Sequence, residues 1–560
     1  TIGDYVFAIT SRDSKYESNL ENIFFDGSTI IGAYMFSYAT KLKRITIPDT
    51  VVNINKNAFE YCTALGTDLG TDSNGVKIKI SFETLSKEII SSSGEKESKV
   101  YNVLKDAEEY KKMDSVITLR NKIIGESMFK GCTGITVMYV PDNIDTIGYA
   151  AFDACTSMLA IQIPFIGGQA YPTIKENGAD KADASRAQDK KFLFGYIFGD
   201  GDNYKHTGES LVEQCYNSQK GTEDPVAIPT MYNFWIPTSL SSVYLSPRED
   251  MKVIGHGSFM NCKDIVSVTI PDTIKFIGRY AFYNCGITTT DIPGGLIDID
   301  DSAYQKSDVT EIVIRNIKVA DRQFFGCDYL EKITVESDVV SLGYACFGGC
   351  SSLEELIIPF VGYYYNELEF DGKALTPQQK QLGWLFGSIE TNNSYAAVQY
   401  YTDTDSVTSY IPNSLRSVTI TNDTQISNGA FMNCKNIQCI VLPDYHKLES
   451  ELKPFNSIGD RAFQNCNALI GCHYDENGNV IVHKKAKETT DDDTNSTKKE
   501  WDTAALEKAD KYMVIPASTS SIGSYAFANC SSLMKVKYLD ESDNINTKYE
   551  DDLSSIANAY

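Results

Sequence analysis

The chain has 560 residues, with 51 Lys and Arg against 75 Asp and Glu, which gives a formal net charge of −24. This acidity argues against a nucleic-acid partner and an anionic membrane surface, because both require clustered positive charge. No run of eighteen apolar residues is present, so we expect no membrane insertion. The chain opens at Thr1 inside a repeated unit, and we expect a signal peptide to precede it in the full protein.

One unit recurs along the chain and is clearest at residues 267–285. Residues 267–271 are rich in β-branched side chains and end in proline, which predicts a short strand. Residues 277–285 predict a turn with one loop of helix, and the same half occurs 23 residues earlier at 254–262. A period of 20–29 residues with one strand per unit is typical of leucine-rich repeats. Stacked units of this kind bury one continuous core.

Each unit carries a phenylalanine at an equivalent position, and we expect these rings to lie in the core. Burying one such ring contributes roughly 1.5–3 kcal/mol. Phe7 holds this position in the first, incomplete unit. The other repeat phenylalanines are Phe36, Phe59, Phe129, Phe152, Phe259, Phe282, Phe324, Phe347, Phe431, Phe463 and Phe527.

Ten of the fourteen cysteines lie three residues after a repeat phenylalanine. One cysteine per coil is typical of a small buried side chain, whereas a disulfide framework shows paired spacings. Equivalent positions of adjacent coils are about 4.8 Å apart, but their parallel Cβ vectors do not favour a bridge. We therefore predict that nearly all fourteen cysteines are thiols and that the ten repeat cysteines are buried. These ten are Cys62, Cys132, Cys155, Cys262, Cys285, Cys327, Cys350, Cys434, Cys466 and Cys530.

A longer period of 195 residues overlies the short one. Arg120 recurs as Arg315, Phe152 as Phe347, and residues 163–167 as 358–362. The sequence therefore predicts a duplicated cassette of repeats and insertions within a single solenoid over residues 1–560. We place the insertions at about residues 66–115, 166–235, 286–315, 361–410 and 471–513.

The insertions are expected to be partly folded. Thr376, Pro377 and Gln379 have the pattern of a helix N-terminus, with threonine as the N-cap and proline at the first helical position. We expect the apolar residues that follow, at 382–386, to pack on the flank of the solenoid. Short helices are expected at 82–89 and 106–112. Residues 491–499 are charged and rich in Ser and Thr, which predicts a mobile loop.

The sequence shows no catalytic or cofactor-binding pattern. It lacks HExxH, G-x-S-x-G and a P-loop, so we predict no enzyme activity and no cofactor. The best candidate zinc ligands are Cys466, Cys472, His473 and His483, but zinc sites usually contain two close pairs. The aspartates at 491–493 lack the spacing of a calcium loop. We therefore predict no metal site.

Tyrosines are numerous, 34 in all, and they cluster in the insertions. Tyr363, Tyr364 and Tyr365 are consecutive, and Tyr400 and Tyr401 form a second group. Because tyrosine offers a large, rigid contact area with a polar tip, we predict these five residues as ligand-binding. The alternative is that the rings cover the flank of the solenoid beneath their own loops. The concave strand face is a second candidate surface.

The repeat resembles the BspA-type leucine-rich repeat. The residues that carry the resemblance are 270–273, 277–278 and 281–285, and residues 522–533 repeat the second half. The resemblance implies a right-handed solenoid with coils of about 23 residues, short parallel strands and short helical turns. It also implies a bacterial protein that is secreted or anchored at the cell surface, in a family whose namesake activity is adhesion to host matrix proteins and other cells.

We therefore expect a non-enzymatic extracellular protein that binds proteins of a host or neighbouring cell and serves adhesion. The first alternative is a carbohydrate-binding surface protein, with Tyr365 beside Asn366 and Glu367 as a sugar site. The second alternative is a passive spacer that holds another domain away from the cell.

Overall fold

The computed structural model of the chain contains two compact units, Thr1–Val309 and Thr310–Tyr560. The prediction of one solenoid over residues 1–560 stays a prediction. The structure describes residues 4–9, 18–24, 30–46, 51, 53–67, 82–90, 96–104, 123–176, 179–182, 189–201, 206–216, 230–293, 296–315, 318–364, 376–443, 454–474, 480–481, 489–490, 497–498, 512–516, 518–533, 535–538 and 551–552.

In the first unit, successive coils pair their longer strands in parallel. Ile161 pairs with Met138 on one side and Val243 on the other, and all three are buried. Apolar side chains of adjacent coils therefore form rows in the core, as the stacked repeats predict. The longer strands of this unit are Asn22–Phe24, Arg44–Thr46, Val137–Tyr139, Ala160–Ile163, Ser242–Leu245, Ser267–Thr269 and Thr289–Asp291.

A second strand of only two residues precedes the turn in the coils, where the sequence predicted a turn alone. In these strands the isoleucine that precedes the turn glycine is buried, as at Ile254 and Ile277. The strands pair in parallel, so each coil contributes to two sheets. In the first unit they are Ile30–Ile31 with Asn53–Ile54, Ile123–Ile124 with Thr146–Ile147, and Val253–Ile254 with Phe276–Ile277 and Asp298–Ile299.

The segment that follows each short strand is a hydrogen-bonded turn and not the predicted loop of helix. Tyr280 and Asn284, on either side of the repeat Phe282, have φ angles of 58° and 52°. Left-handed residues at this spacing interrupt a right-handed helix. The backbone therefore changes direction once before the repeat phenylalanine and once after it.

Residues 286–315, which we assigned to an insertion, contain a further coil. Asp298–Ile299 pairs in parallel with Phe276–Ile277, and the Tyr304 ring stacks on Phe282 with centroids 5.0 Å apart. Tyrosine replaces the repeat phenylalanine here, and no cysteine follows it three residues later. Because of these two changes, the unit does not match a repeat pattern defined by Phe and Cys.

The repeat phenylalanines form ladders of stacked rings. In the first unit, the centroid distances between neighbouring coils are 5.5 Å for Phe36–Phe59 and 5.4 Å for Phe259–Phe282. In the second unit, the Phe431–Phe463 distance is 5.4 Å. All six of these rings are fully buried. These six rings therefore lie in the core and each contacts the ring of a neighbouring coil, whereas Phe527 is half-buried and Phe7 is 46% exposed.

The repeat cysteines have a polar role that burial alone does not explain. The Cys132 thiol donates to the carbonyl oxygen of Phe59 at 3.1 Å, and that oxygen also accepts the backbone N–H of Cys62. Cysteine therefore supplies a small apolar side chain with a weak donor directed at the preceding coil. The same thiol contact, at 3.1 to 3.3 Å, is made by Cys62, Cys132, Cys155, Cys350, Cys466 and Cys530.

Antiparallel hairpins lie between the coils of the first unit. The predicted helix at 82–89 is wrong, because these residues belong to Phe82–Ile90, which pairs with Lys96–Leu104. Residues 106–112 lie outside the described part of the chain. The other hairpins are Thr173–Glu176 with Ala179–Ala182 and Glu209–Cys215 with Met231–Pro237. The 3-10 turns of this unit are Lys190–Phe192 and Phe194–Ile197.

The second unit repeats this organisation. Its parallel sheet contains Glu311–Ile314, Lys332–Val335, Glu355–Ile358, Ser417–Ile420 and Cys439–Val441 in that order. Its short strands are Lys318–Val319 with Ser341–Leu342, and Gln425–Ile426, Ser457–Ile458 and Ser521–Ile522 as a row of three. Met513–Ile515 and Lys535–Tyr538 pair in parallel, and Asp551–Asp552 pairs with the latter in antiparallel.

The hairpins of the second unit are Ser394–Tyr400 with Ser406–Pro412, His473–Tyr474 with Val480–Ile481, and Thr489–Thr490 with Thr497–Lys498. The predicted mobile loop at residues 491–499 begins directly after Thr489–Thr490 and includes Thr497–Lys498. Its other residues lie outside the described part of the chain. The 3-10 turns of this unit are Pro377–Lys380 and Leu382–Leu385.

A disulfide joins Cys439 and Cys472, whose Cα atoms are 4.8 Å apart, and it corrects our prediction of thiols throughout. The backbone N–H groups of Ile470 and Gly471 donate to the oxygen of Gln438, so Gly471 is the residue equivalent to Cys439. Cys472 lies one residue further along the chain, beyond a left-handed glycine with φ of 96°. Parallel Cβ vectors disfavour a bridge only between equivalent positions of two coils, and this pair is offset by one residue.

We expect twelve thiols in the unfolded, unreduced protein. The other cysteines remain thiols, and all but Cys530 are buried. Burial raises the pKa of Cys62 and Cys215 to about 12 and about 11, so almost no thiolate is present at neutral pH. Ellman titration should therefore give almost no reaction in the native protein, twelve thiols in denaturant and fourteen after reduction. Fourteen thiols before reduction would contradict the disulfide.

Candidate ligand-binding surface

The turn at Pro377–Lys380 organises the insertion of the second unit. The backbone N–H of Thr376 donates to Gln379 Oε1 at 2.7 Å, and the N–H of Gln379 donates to the Thr376 carbonyl oxygen at 3.0 Å. The predicted helix start is therefore confirmed. The helix ends after one 3-10 turn, and a second such turn follows at Leu382–Leu385.

This second turn lies in the stack of coils and not on the flank, where we expected it. The N–H of Phe347 donates to the Leu385 oxygen at 2.9 Å. On the other side, the N–H of Leu382 donates to the Ala430 oxygen at 3.0 Å. The turn therefore replaces a coil between those of Phe347 and Phe431.

The first unit has the same arrangement at Phe194–Ile197. The Phe198 ring lies 6.4 Å from Phe152, the Phe194 ring lies 4.9 Å from Phe259, and the two insertion rings are 5.3 Å apart. The insertion thus continues the ladder of aromatic rings. The apolar residues of this short segment are core residues, which explains why they recur in both cassettes.

A buried glutamine fixes each hairpin to this turn. Gln399 Oε1 accepts the N–H of Gly383 at 2.9 Å, and its Nε2 donates to the Ala430 oxygen at 2.6 Å. Gln214 makes the two equivalent contacts in the first unit, at 2.9 and 3.0 Å. Both side chains are fully buried. Sequence reasoning missed them, and the available signal was a glutamine at the same position of both hairpins.

The three consecutive tyrosines do not form one exposed cluster. The Tyr363 ring lies 5.6 Å from Trp384 in a T-shaped contact, and the side chains of Tyr363 and Tyr364 are half-buried. Tyr363 therefore covers its own insertion, which is the alternative that we considered for these rings. Tyr365, together with the predicted sugar site at Asn366 and Glu367, lies outside the described residues.

The turn Pro377–Lys380 connects the two predicted tyrosine groups. Tyr363 donates its backbone N–H to the Gln379 oxygen at 2.7 Å. On the other side of the turn, Gln378 Nε2 donates to the Tyr401 hydroxyl oxygen at 3.3 Å. Tyr400 is 36% exposed and Tyr401 is half-buried. The structure therefore brings Tyr363 and Tyr401 to the same part of the insertion.

A groove of about 530 Å³ lies beside Tyr401, and we call it the Tyr401 groove. Tyr401, Pro377 and Lys380 line one side. The other side is formed by the short strands Gln425–Ile426, Ser457–Ile458 and Ser521–Ile522 with the residues that follow them. The isoleucines Ile426 and Ile458 point into the core, so the alternate side chains Gln425, Ser457 and Ser521 form a polar row across three coils.

The four residues considered as zinc ligands and set aside are not brought together as a set. The Cys472 sulfur is bonded to Cys439, and the Cys466 thiol donates to the Phe431 oxygen at 3.1 Å. His483 lies outside the described residues. Across the described part of the chain, no group of three or more His, Cys, Asp and Glu side chains is suited to hold a metal ion. In the same residues, no helix is long and apolar enough to cross a bilayer.

Comparison with solved structures finds bacterial leucine-rich repeat proteins at low identity. A leucine-rich repeat protein from Bacteroides ovatus is 15% identical, covering 92% of this chain and 86% of its own, with a TM-score of 0.28. A leucine rich cell surface protein from Faecalibacterium prausnitzii is 14% identical, covering 94% and 90%, with a TM-score of 0.20. A leucine-rich repeat protein from Eubacterium ventriosum is 17% identical, covering 55% and 68%, with a TM-score of 0.21. No curated protein sequence gives a significant match.

The family model of the BspA type leucine rich repeat region matches in 6 copies, at residues 1–84, 109–171, 231–354, 408–484 and 507–556. The gaps between matches overlap four of the five predicted insertions. Residues 286–315 are matched, in agreement with the further coil at Tyr304. The predicted leucine-rich repeat fold is thereby confirmed. Because the matches cover more than half of the chain, it belongs to the BspA-type leucine-rich repeat family.

Proposed function

We propose that this protein is a non-enzymatic extracellular binding protein that serves adhesion, and that the Tyr401 groove is its main contact surface. The ligand is a protein of a host or neighbouring cell. Leucine-rich solenoids bind through surfaces that extend over several repeats. The Tyr401 groove spans three coils and one insertion, and it is therefore a surface of the kind that a macromolecular ligand requires.

The observation that carries this proposal is the position of Tyr401. It is one of the five tyrosines chosen from the sequence, and it lines a groove of about 530 Å³ beside Lys380. Tyrosine is enriched among the residues that dominate binding energy at protein interfaces. A half-buried tyrosine on a groove wall loses little side-chain entropy on binding, because its contacts within the protein already restrict it.

Two further features support an extracellular location. The disulfide Cys439–Cys472 fits an oxidising compartment. The net charge of −24 favours solubility, which a secreted protein requires.

Replacement of Tyr401 by alanine is expected to weaken binding at least tenfold. The measurement is a surface-binding titration of the purified chain against host matrix proteins at physiological salt. The matched control is Tyr216→Ala, because Tyr216 follows the equivalent hairpin strand of the first unit, Glu209–Cys215. Tyr216→Ala is expected to change the affinity less than twofold. Equal losses in the two variants would remove the site from the Tyr401 groove.

A glycan ligand is a second candidate, and the polar row of Gln425, Ser457 and Ser521 favours it. Hydroxyl and amide groups on consecutive coils offer repeated hydrogen-bond partners to a polymer of sugars. Competition with free monosaccharides separates the two candidates. Inhibition of binding by a sugar at millimolar concentration supports the glycan, and binding unchanged by sugars supports the protein ligand.

A further inference from the structure

The two units carry equivalent hairpins, and the position that Ser210 holds in the first is held by Tyr395 in the second. In the first unit, Ser210 lies opposite Ile236 in the strand pairing, and in the second unit Tyr395 lies opposite Ile411. The buried glutamine follows four residues later in both strands. Ser210 and Tyr395 therefore occupy the same position of the duplicated cassette, and their side chains face the same side of the hairpin relative to the next coil.

The coil that faces this position is nearly identical in the two units. Residues 259–263 and residues 431–435 both have the sequence Phe-Met-Asn-Cys-Lys, and an isoleucine follows two residues later in each. The next coil presents Asn284 and Cys285 in one unit and Asn465 and Cys466 in the other. These shared residues therefore face a tyrosine in one case and a serine in the other, although Leu211, Val212 and Asp264 stand where the second unit has Ala396, Ala397 and Asn436.

In the second unit, the Tyr395 ring fills the space between these walls. Its side chain is only 9% exposed, and Lys435 Nζ lies 5.3 Å from the ring centroid. Cys434 and Cys466 are close enough to contribute, after burial, to raising the pKa of Tyr395. The ring is thus held by a cation above its face and by the side chains of two coils.

In the first unit, the same space is an open pocket of about 320 Å³, which we call the Ser210 pocket. Its lining includes Ile236 and Ile265, which are buried, and Lys263, which corresponds to Lys435. Ser210 Oγ donates to Asp264 Oδ2 at 2.8 Å across one side of the pocket. Leu211 at its edge is 54% exposed, so an apolar side chain extends the pocket towards solvent.

We propose that the Ser210 pocket binds a phenol ring, supplied by a tyrosine side chain of a partner protein. The second unit shows what these walls accept, because the chain's own Tyr395 occupies them there. The volume lies at the lower end of the range for ligand pockets, about 300–1,000 Å³, as expected for a single ring. A protein partner is the source, since tyrosine is one of the side chains enriched among interface hot spots, which fill pockets on the partner surface.

This proposal adds a second contact to the proposed function and depends on it only for the source of the ring. The chemistry of the pocket is testable without any partner, using p-cresol as the analogue of the tyrosine side chain. Equilibrium dialysis of p-cresol against the full chain is expected to show one saturable site in the millimolar range. Ser210→Tyr is expected to abolish that site, because the new ring occupies the pocket as Tyr395 does.

The reciprocal change provides a gain of binding. Tyr395→Ser is expected to open the equivalent pocket in the second unit and to give two p-cresol sites per chain. No saturable site in the wild-type chain, or a site that persists unchanged in Ser210→Tyr, would overturn the proposal. A site count that stays at one in a folded Tyr395→Ser chain, checked by an unchanged circular dichroism spectrum, would overturn it too.

The source of the ring is tested with the blocked tripeptide Gly-Tyr-Gly. Competition between this peptide and p-cresol in the wild-type chain supports a side chain as the natural occupant. Binding of p-cresol without competition by the peptide would assign the pocket to a free phenol and overturn the side-chain assignment. These experiments use only p-cresol and the tripeptide. Their results can therefore be interpreted even if the Tyr401 groove does not bind matrix proteins.

Discussion

Replacement of Phe282 by alanine is expected to destabilise its part of the first unit by about 3–5 kcal/mol, the usual cost of removing a fully buried aromatic ring. Phe282 has no exposed surface. Its ring stacks on Phe259 at 5.4 Å and on Tyr304 at 5.0 Å. The substitution therefore removes contacts with both neighbouring coils and leaves a cavity between them.

The buried thiols provide a local measurement of this effect. Repeat arrays need not unfold in a single step, so global denaturation underestimates a local loss. Cys285, three residues after Phe282, is fully buried and reacts with an alkylating reagent only after local opening. A loss of 3–5 kcal/mol should speed its labelling by about 100-fold or more, at about 1.4 kcal/mol per factor of ten. Labelling of Cys466 in the second unit should not change.

Phe7→Ala is the matched control for the ladder. Phe7 stacks on one ring, Phe36, at 5.5 Å, and it is 46% exposed. Its removal should cost about 1 kcal/mol, since only part of its area is withdrawn from water. If Phe282→Ala cost no more than Phe7→Ala, the stacked rings would not be what holds adjacent coils together.

Replacement of Gln399 by alanine is expected to cost about 2–5 kcal/mol. It leaves the N–H of Gly383 and the carbonyl oxygen of Ala430 without their partner, and each unsatisfied buried group costs about 1–3 kcal/mol. Gln399 connects the hairpin, the 3-10 turn and the next coil. The loss should therefore loosen one wall of the Tyr401 groove as well as the coil of Phe431.

Labelling of Cys434 measures this effect, because its thiol is fully buried beside Gln399 Nε2 at 3.9 Å. Gln214→Ala should produce a loss of similar size at Cys262 in the first unit, where the contacts are duplicated. Gln378→Ala is the control on an exposed glutamine of the same insertion and should change stability by no more than about 0.5 kcal/mol. An equally small effect of Gln399→Ala would contradict the assigned role.

The features that repeat in sequence were predictable, because stacking imposes the same surroundings on each coil. A side chain such as Phe129 is buried by the two adjacent coils. Its position could therefore be found from the repeat spacing alone. The short strands at positions such as Phe276–Ile277 were missed because two residues are too few for a strand pattern. The coil of Tyr304 was missed because it lacks the phenylalanine and cysteine that define the others.

The contacts that depend on a shift in register were not predictable. The disulfide of Cys439 requires an offset of one residue at Gly471, and nothing in the spacing of the cysteines reveals that offset. The role of Gln399 depends on a hairpin that directs its amide at two backbone groups distant in sequence. The tyrosines were found from composition, but whether a ring such as Tyr363 packs inward depends on where Trp384 lies.

Binding in the Tyr401 groove can be tested by hydrogen–deuterium exchange of the full chain, with and without the matrix protein or mucin glycan that the binding titration identifies. We expect protection of the peptides that cover residues 425–428, 457–460 and 521–523, which line the Tyr401 groove. We expect no change at the equivalent residues 253–256, 276–279 and 298–300 of the first unit. Protection at the equivalent residues instead, or binding without protection of the groove, would show that the ligand does not bind in the Tyr401 groove.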